Sequence, residues 1–199
     1  MTLVVHTPAA DEPLDDSLVL DYCKVDDLND PVIPLLIASA RAHAETELHR
    51  YLVTQTVDLY LDEFPHDDRD CWLDTPILLP PIQSVTSITY TSLDGVQTVL
   101  AADQYLVDAK SQPARITPAW GLAWPATRRQ TNAVQVRFVA GYGDPEDVPA
   151  CIKNWMLVAI KSRWENRGAL EVGRYMSLVT IPPSFIDSLL DSERVTGRI

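Results

Sequence analysis

Residues 133–167, AVQVRFVAGYGDPEDVPACIKNWMLVAIKSRWENR, decide the architecture. Val134, Val136, Phe138 and Ala140 alternate with Gln135, Arg137 and Val139, the period of two of a strand with one face inward. Gly141 and Gly143 flank Tyr142 and let the chain turn through backbone angles closed to other residues. Asp147 is a candidate helix cap, and Pro149 suits a first helical turn, where its missing N–H is not needed. The helix that follows, 149–167, presents Ile152, Trp155, Met156 and Ala159 on one face. Leu157, Val158 and Trp164 point well away from that face, so the helix carries more apolar surface than one core contact uses. Either the chain's own β-rich region or a neighbouring subunit covers this second side.

Upstream, residues 31–52 read as another strong helix. At about 100° per residue, Ile33, Leu36, Ile37, Ala40, Ala44, Leu48 and Tyr51 fall within an arc of about 120°, while Arg41, Glu45 and His49 lie outside it. Glu47 projects inside the apolar arc, and Arg163 lies near the centre of the apolar face of helix 149–167. An unpaired buried charge is costly, so the two helices are expected to pack together with Glu47 and Arg163 as a buried ion pair. The alternative is that these side chains snorkel to solvent. Residues 16–23 read as a short helix capped by Asp16 or Ser17, and Ser184 opens another at 184–191 with Phe185 and Leu189 inward.

Between the helices the pattern is β. Residues 54–61 alternate, 84–91 are rich in β-branched residues, and Asp94-Gly95 is a hairpin turn before VQTVL. Strands at 104–108, 114–117 and 133–140 follow. Two loops are long: 64–81, acidic and then proline-rich, and 118–132, with Trp120, Trp124, Arg128 and Arg129. The expected fold class is α+β, a small helical bundle (15–53 and 147–191) with an inserted β-rich region (54–140). The whole of 1–199 forms one domain, with flexible arms at 1–14 and 192–199.

Composition narrows function. Apolar residues make up 46% of the 199, enough for a real core. No apolar run approaches the roughly 18–20 residues of a membrane span, and the N-terminus lacks the pattern of a secretory signal. The formal charge of −12 argues against a surface that grips nucleic acid, which needs clustered Lys and Arg. Cys23, Cys71 and Cys151 are widely spaced with no C-x-x-C pair, so neither disulfide framework nor zinc site is expected, and a reducing compartment fits.

No pattern requires an active site. His43 and Glu47 share a helix side but lack a third ligand of recognisable spacing. The acidic loop 62–70 has oxygens enough for calcium without the spacing or central glycine of an EF-hand. Gly141-Tyr142-Gly143 is neither a dinucleotide fingerprint nor a phosphate loop. Two rival readings stand beside a purely structural role. One is a metal-dependent hydrolase using His43, Glu47 and loop 62–70; the other is a monomeric β-module that binds a ligand or glycan through Trp120 and Trp124. Those two tryptophans either lid their own core or act as interface anchors, with Arg128 and Arg129 as a basic rim.

Taken in order, several stretches resemble the head–tail connector (adaptor, or head-completion) proteins of long-tailed phages and gene-transfer particles. They are the opening helix from Asp15 to Val25, LLIASARAHAETELHRYLVTQT (35–56), PPIQSVTSITYTSLDG (80–95), Tyr105-Leu106-Val107-Asp108, Trp124-Pro125 and NAVQVRFVAGYGD (132–144). Val148-Pro149 and the helix ending near Glu165-Asn166-Arg167 complete the set. The chain departs from the commoner family pattern at SLVLDYCKV (17–25), where an alanine- and lysine-rich helix is usual.

The resemblance implies a ring of about twelve identical copies under the portal protein, at the head–tail junction of a particle made in the bacterial cytoplasm. The ring extends the DNA channel without binding DNA specifically. It meets the next head-completion or tail protein, and it needs no enzyme activity, cofactor, metal or membrane. Leu157, Val158, Trp164, Trp120 and Trp124 become candidate subunit or partner contacts. Residues 182–199, with Phe185, Leu189, Arg194 and Arg198, become a candidate portal-docking tail.

Overall fold

The computed structural model describes residues 2–25, 30–65, 76–165, 190 and 193–195. Among these are three α-helices and two antiparallel sheets, a mixed α+β fold. The chain divides into two compact units, Met1–Ala10 with Thr54–Tyr142 and Val195–Ile199, and Asp11–Val53 with Gly143–Arg194.

The first unit holds a sheet of β1 (Thr2–Thr7), β2 (Gln55–Leu61), β4 (Ile82–Thr91), β5 (Gln97–Val99) and β8 (Val134–Ala140), in the order β1-β2-β8-β4-β5. Strand β8 is central, and its alternation is as the sequence requires: Val134, Val136, Phe138 and Ala140 are all fully buried. Register carries this apolar side across the sheet, with Leu59 and Ile88 both level with Val136, and Val57 level with Phe138. A three-stranded sheet, β3 (Ile77–Leu79), β7 (Ala114–Pro118) and β6 (Tyr105–Asp108), adds Ile77, Leu79, Ala114 and Ile116 to the buried set. The Asp94-Gly95 hairpin forms: Gly95 takes φ +83°, Ser92 N–H donates to Val96 O, and the Arg128 guanidinium lies over the glycine where a Cβ would stand.

The expectation of a flexible N-terminal arm over 1–14 is overturned. Residues Thr2–Thr7 pair with β2 as the sheet's edge strand, Pro13 and Leu14 are buried, and Arg41 binds Glu12 at 2.7 Å. Strand β3 was likewise hidden, inside what reads as an irregular loop at 64–81.

The second unit packs α1 (Asp16–Cys23), α2 (Val32–Leu48) and α3 (Ala150–Glu165) on one another. The cap of α1 is Asp15, one residue before the expected Asp16 or Ser17; its carboxylate accepts from Ser17 N–H at 3.1 Å. The apolar arc of α2 is buried at Ile33, Ile37, Ala40, Ala44 and Leu48, but the helix stops at Leu48 and not at 52. His49 enters the left-handed region at φ 54°, and the Glu45 carboxylate, read as plain solvent-facing charge, accepts from the Leu52 amide at 3.0 Å. Tyr51 therefore lies beyond the helix whose face it was assigned to.

Helix α3 buries Ile152, Trp155, Met156, Ala159 and Ile160. Its expected last residues, 166–167, and the short helix at 184–191 apart from Leu190, lie outside the described residues. Asp147 does not cap it. The Asp147 carboxylate closes the preceding 3-10 turn, Pro145–Asp147, by accepting from Asp144 N–H, and the Pro149 carbonyl accepts from Ile152 and Lys153. Gly143, at φ +148°, leaves the space that this carboxylate fills. Gly143→Ala is expected to destabilise the protein by about 1–3 kcal/mol, read as a lower urea midpoint at unchanged slope.

No helix among the described residues is long and apolar enough to cross a membrane.

Candidate interaction surface

The loop after β7 divides the two tryptophans. Ala119 N–H donates to Gln104 O, Leu122 N–H donates to Ala119 O, and Gly121 takes φ +77°. This is a hydrogen-bonded turn with glycine at its third position, the type II pattern. It presents Trp120 at its second position, 99% exposed, with Leu122 beside it, also exposed. Trp124, four residues on, is half-buried, with its ring stacked on Phe64 at 4.8 Å and 3°. Phe64 in turn meets Tyr90 at 5.8 Å. Trp124 thus lids its own unit, while Trp120 is held out to solvent by a turn that fixes its backbone. Arg128 and Arg129 are exposed, although Arg128 is turned toward the 94–95 hairpin.

On α3, Leu157, Val158 and Trp164 are half-buried. The expected Glu47–Arg163 ion pair does not form. Arg163 is exposed and donates to Ser39 Oγ at 2.8 Å, whereas Glu47 accepts from Arg194 at 2.9 Å and is itself partly exposed. Trp155 stacks on His43 at 5.5 Å, so eight residues forward on α3 correspond to four residues backward on α2. The helices run in opposite directions at this contact, and Ser39 and Glu47 are about 12 Å apart along α2. The apolar faces were legible; their relative direction was not.

Of the candidate docking tail, Phe185, Leu189 and Arg198 lie outside the described residues. Leu190 is buried, Glu193 faces Arg50 at 3.7 Å, and Arg194 reaches Glu47, so this stretch of the expected arm is packed onto its own unit.

The groups assigned to a hydrolase are otherwise engaged. His43 stacks on Trp155, Glu47 binds Arg194, and Asp62 accepts from Asn132 N–H at 2.9 Å; residues 66–70 lie outside the described residues. Among the described residues no three His, Cys, Asp or Glu side chains converge as metal ligands would. Cys23 and Cys151 are half-buried free thiols, and burial pushes the Cys23 pKa up, which disfavours the thiolate.

One polar cluster escaped the reading of the residues. Asp58, buried in the middle of β2, accepts from Arg137 Nε at 2.7 Å, from Arg137 Nη2 at 2.8 Å and from Gln135 Nε2 at 2.9 Å. His6 Nδ1 lies 3.2 Å from Arg137 Nη2 and 3.6 Å from the Asp58 carboxylate. The Arg137 hydrogen bonds hold the Asp58 carboxyl below its ordinary value, and the same bonds raise Arg137. The signal was present in the sequence: an acid in TVDLYL and a base in VQVRFV each occupy mid-strand, off the apolar side.

Sequence comparison matches no protein-family model and no curated protein. Structure comparison does find chains of similar fold. Chains from the virion of a native gene transfer agent particle (TM-score 0.73, 16% identity) and from the neck of an empty particle computed with C6 symmetry (0.72, 18%) share this fold. So does a chain from the neck of a native particle computed with C12 symmetry (0.65, 19%). In each case 100% of this chain and 98% of the other are covered. The fold is shared end to end. At these identities, fold is what the likeness establishes.

Proposed function

We propose that this chain is a structural head–tail connector of a tailed phage or gene-transfer particle. Copies form a ring of about twelve under the portal that extends the DNA channel and receives the next head-completion or tail protein. The observation that carries this reading is the end-to-end correspondence with neck chains of gene transfer agent particles. The C6 and C12 symmetry under which those necks were computed supports the ring.

In this reading 1–199 acts as one connector domain in which helices from 15–53 and 147–191 form a small bundle carrying the β-rich insertion 54–140. Trp120 is the leading contact residue, with Trp124 behind it and Leu157, Val158 and Trp164 as the helical contact. Residues 182–199 dock on the portal. A net charge of −12 suits a conduit that must not hold DNA, and the reading assigns the chain no reaction.

The test is a mass measurement of the free chain and of the chain mixed with its portal. A ring-sized complex of about twelve copies is expected; failure to enter any such complex overturns the proposal. Trp120→Ala is expected to keep its stability within about 0.5 kcal/mol of the parent, because nothing in the fold covers the ring. It should weaken assembly about tenfold or more, as an interface anchor does when truncated.

A further inference from the structure

We propose that the five-stranded sheet runs from copy to copy, the open edge of β1 in one chain pairing with the open edge of β5 in the next. The inference rests on the ring reading above. Strands β1 and β5 close the sheet at its two ends. In an antiparallel ladder alternate residues turn their N–H and C=O groups away from the partner. Ser92 N–H donates to Val96 O, and Leu100 N–H to Ile88 O, so it is Gln97 and Val99 whose main-chain groups face outward from β5. Such rows of unmet donors and acceptors are templates for another strand.

Val4, level with Asp58, and Val99, level with Thr89, share the side of the sheet that carries Gln135 and Arg137, so the two edges can meet there. All six residues of β1 are exposed, among them Leu3, Val4 and Val5 at 37–47%, and Val99 is exposed at 64%. Leu3 is level with Leu59, and Val5 with Val57, in rows that are fully buried further into the sheet. At β1 the apolar rows therefore run to the edge and stop uncovered, whereas past β4 the Val136 row ends on buried Leu100. Charged residues usually guard such an edge, yet none occurs in 2–10 or 96–102. In a chain of charge −12, acid-free stretches are where one copy can meet another without repulsion.

The same molecule supplies both halves, which favours a second copy as the occupant. Counting directions across five antiparallel strands leaves β1 and β5 running the same way, so copies related by rotation meet as a parallel pair. Contact between different surfaces of identical chains can close into a ring, whereas β1 against β1 would stop at a dimer.

The test uses the full chain with Cys23, Cys71 and Cys151 replaced by alanine and with Val4→Cys and Val99→Cys introduced together. The ring-sized complex with the portal is isolated, treated with a short bifunctional maleimide and run on a denaturing gel. A ladder of linked chains is expected from the double variant, and only single chains from either variant alone. A ring-sized complex whose chains stay unlinked, or one that links through Val4→Cys alone, overturns edge pairing while the ring reading stands. If the cysteine-free parent enters no ring-sized complex, the ring reading fails and this inference with it. Should the double variant itself not assemble, Thr2→Cys with Gln97→Cys, on the same side of the sheet as Val4 and Val99, carries the same test.

Discussion

Arg137→Ala is expected to destabilise the protein by about 3 kcal/mol at neutral pH, because it strands the Asp58 carboxylate inside the sheet. Asp58 has only 4% of its side chain exposed, while Arg137 is 31% exposed, so water screens part of the pair and the effect belongs at the low end for a buried ion pair. Replacing both residues with leucine should restore much of the loss, because no buried charge then remains. Urea unfolding of the two variants separates a pairing role from a packing one. The pH dependence has a fixed sign. The folded carboxyl titrates below its ordinary value, so the unfolded chain binds the proton more readily. The stabilisation is complete above about pH 4 and is lost as pH falls through the folded value; Arg137→Ala should flatten that acid limb.

Trp155→Ala is expected to cost about 3–5 kcal/mol, the range for emptying a buried aromatic site. Among the described residues Trp155 is the largest fully buried side chain, set on the α3 face that packs on α2, with His43 against its ring. Its indole N–H is buried without an acceptor, so the ring contributes by packing alone. Trp155→Phe gives up some volume but also removes that unpaired donor, and should cost less than about 1.5 kcal/mol. A phenylalanine variant as damaging as the alanine one would mean that the indole N–H has a partner in solution. Thermal or urea unfolding of the pair decides it.

Strand β8 was legible because period-two alternation and burial on one side are the same fact seen twice. The apolar arc of α2 was legible for a similar reason, but its end was not. Tyr51 continues the arc by angle alone, and the stop comes from His49 in the left-handed region, without a glycine to announce it. Strand β1 gave no internal sign because its partner β2 lies more than forty residues away and none of its side chains is buried. At the candidate contact, Trp120 and Trp124 occupy similar apolar loop positions. What separates them is Phe64, sixty residues upstream, which takes one ring and leaves the other. The same limit explains Glu47 and Arg163. Each helix face can be read from its own sequence, whereas the direction of one helix against the other depends on contacts that no periodicity encodes.

The packing of Leu190, Glu193 and Arg194 bears on how a docking tail would let go. Arg194 and Glu47 are each 37% exposed, and a pair of that kind holds with about 0–1 kcal/mol. Leu190, fully buried, holds with about 1.5–3 kcal/mol. Glu193 adds a pair with Arg50, whose side chain is only 6% exposed, so hydrocarbon and charge both anchor this segment. A partner that competes for it must offer an apolar slot for Leu190 and leave Arg50 with a replacement for Glu193.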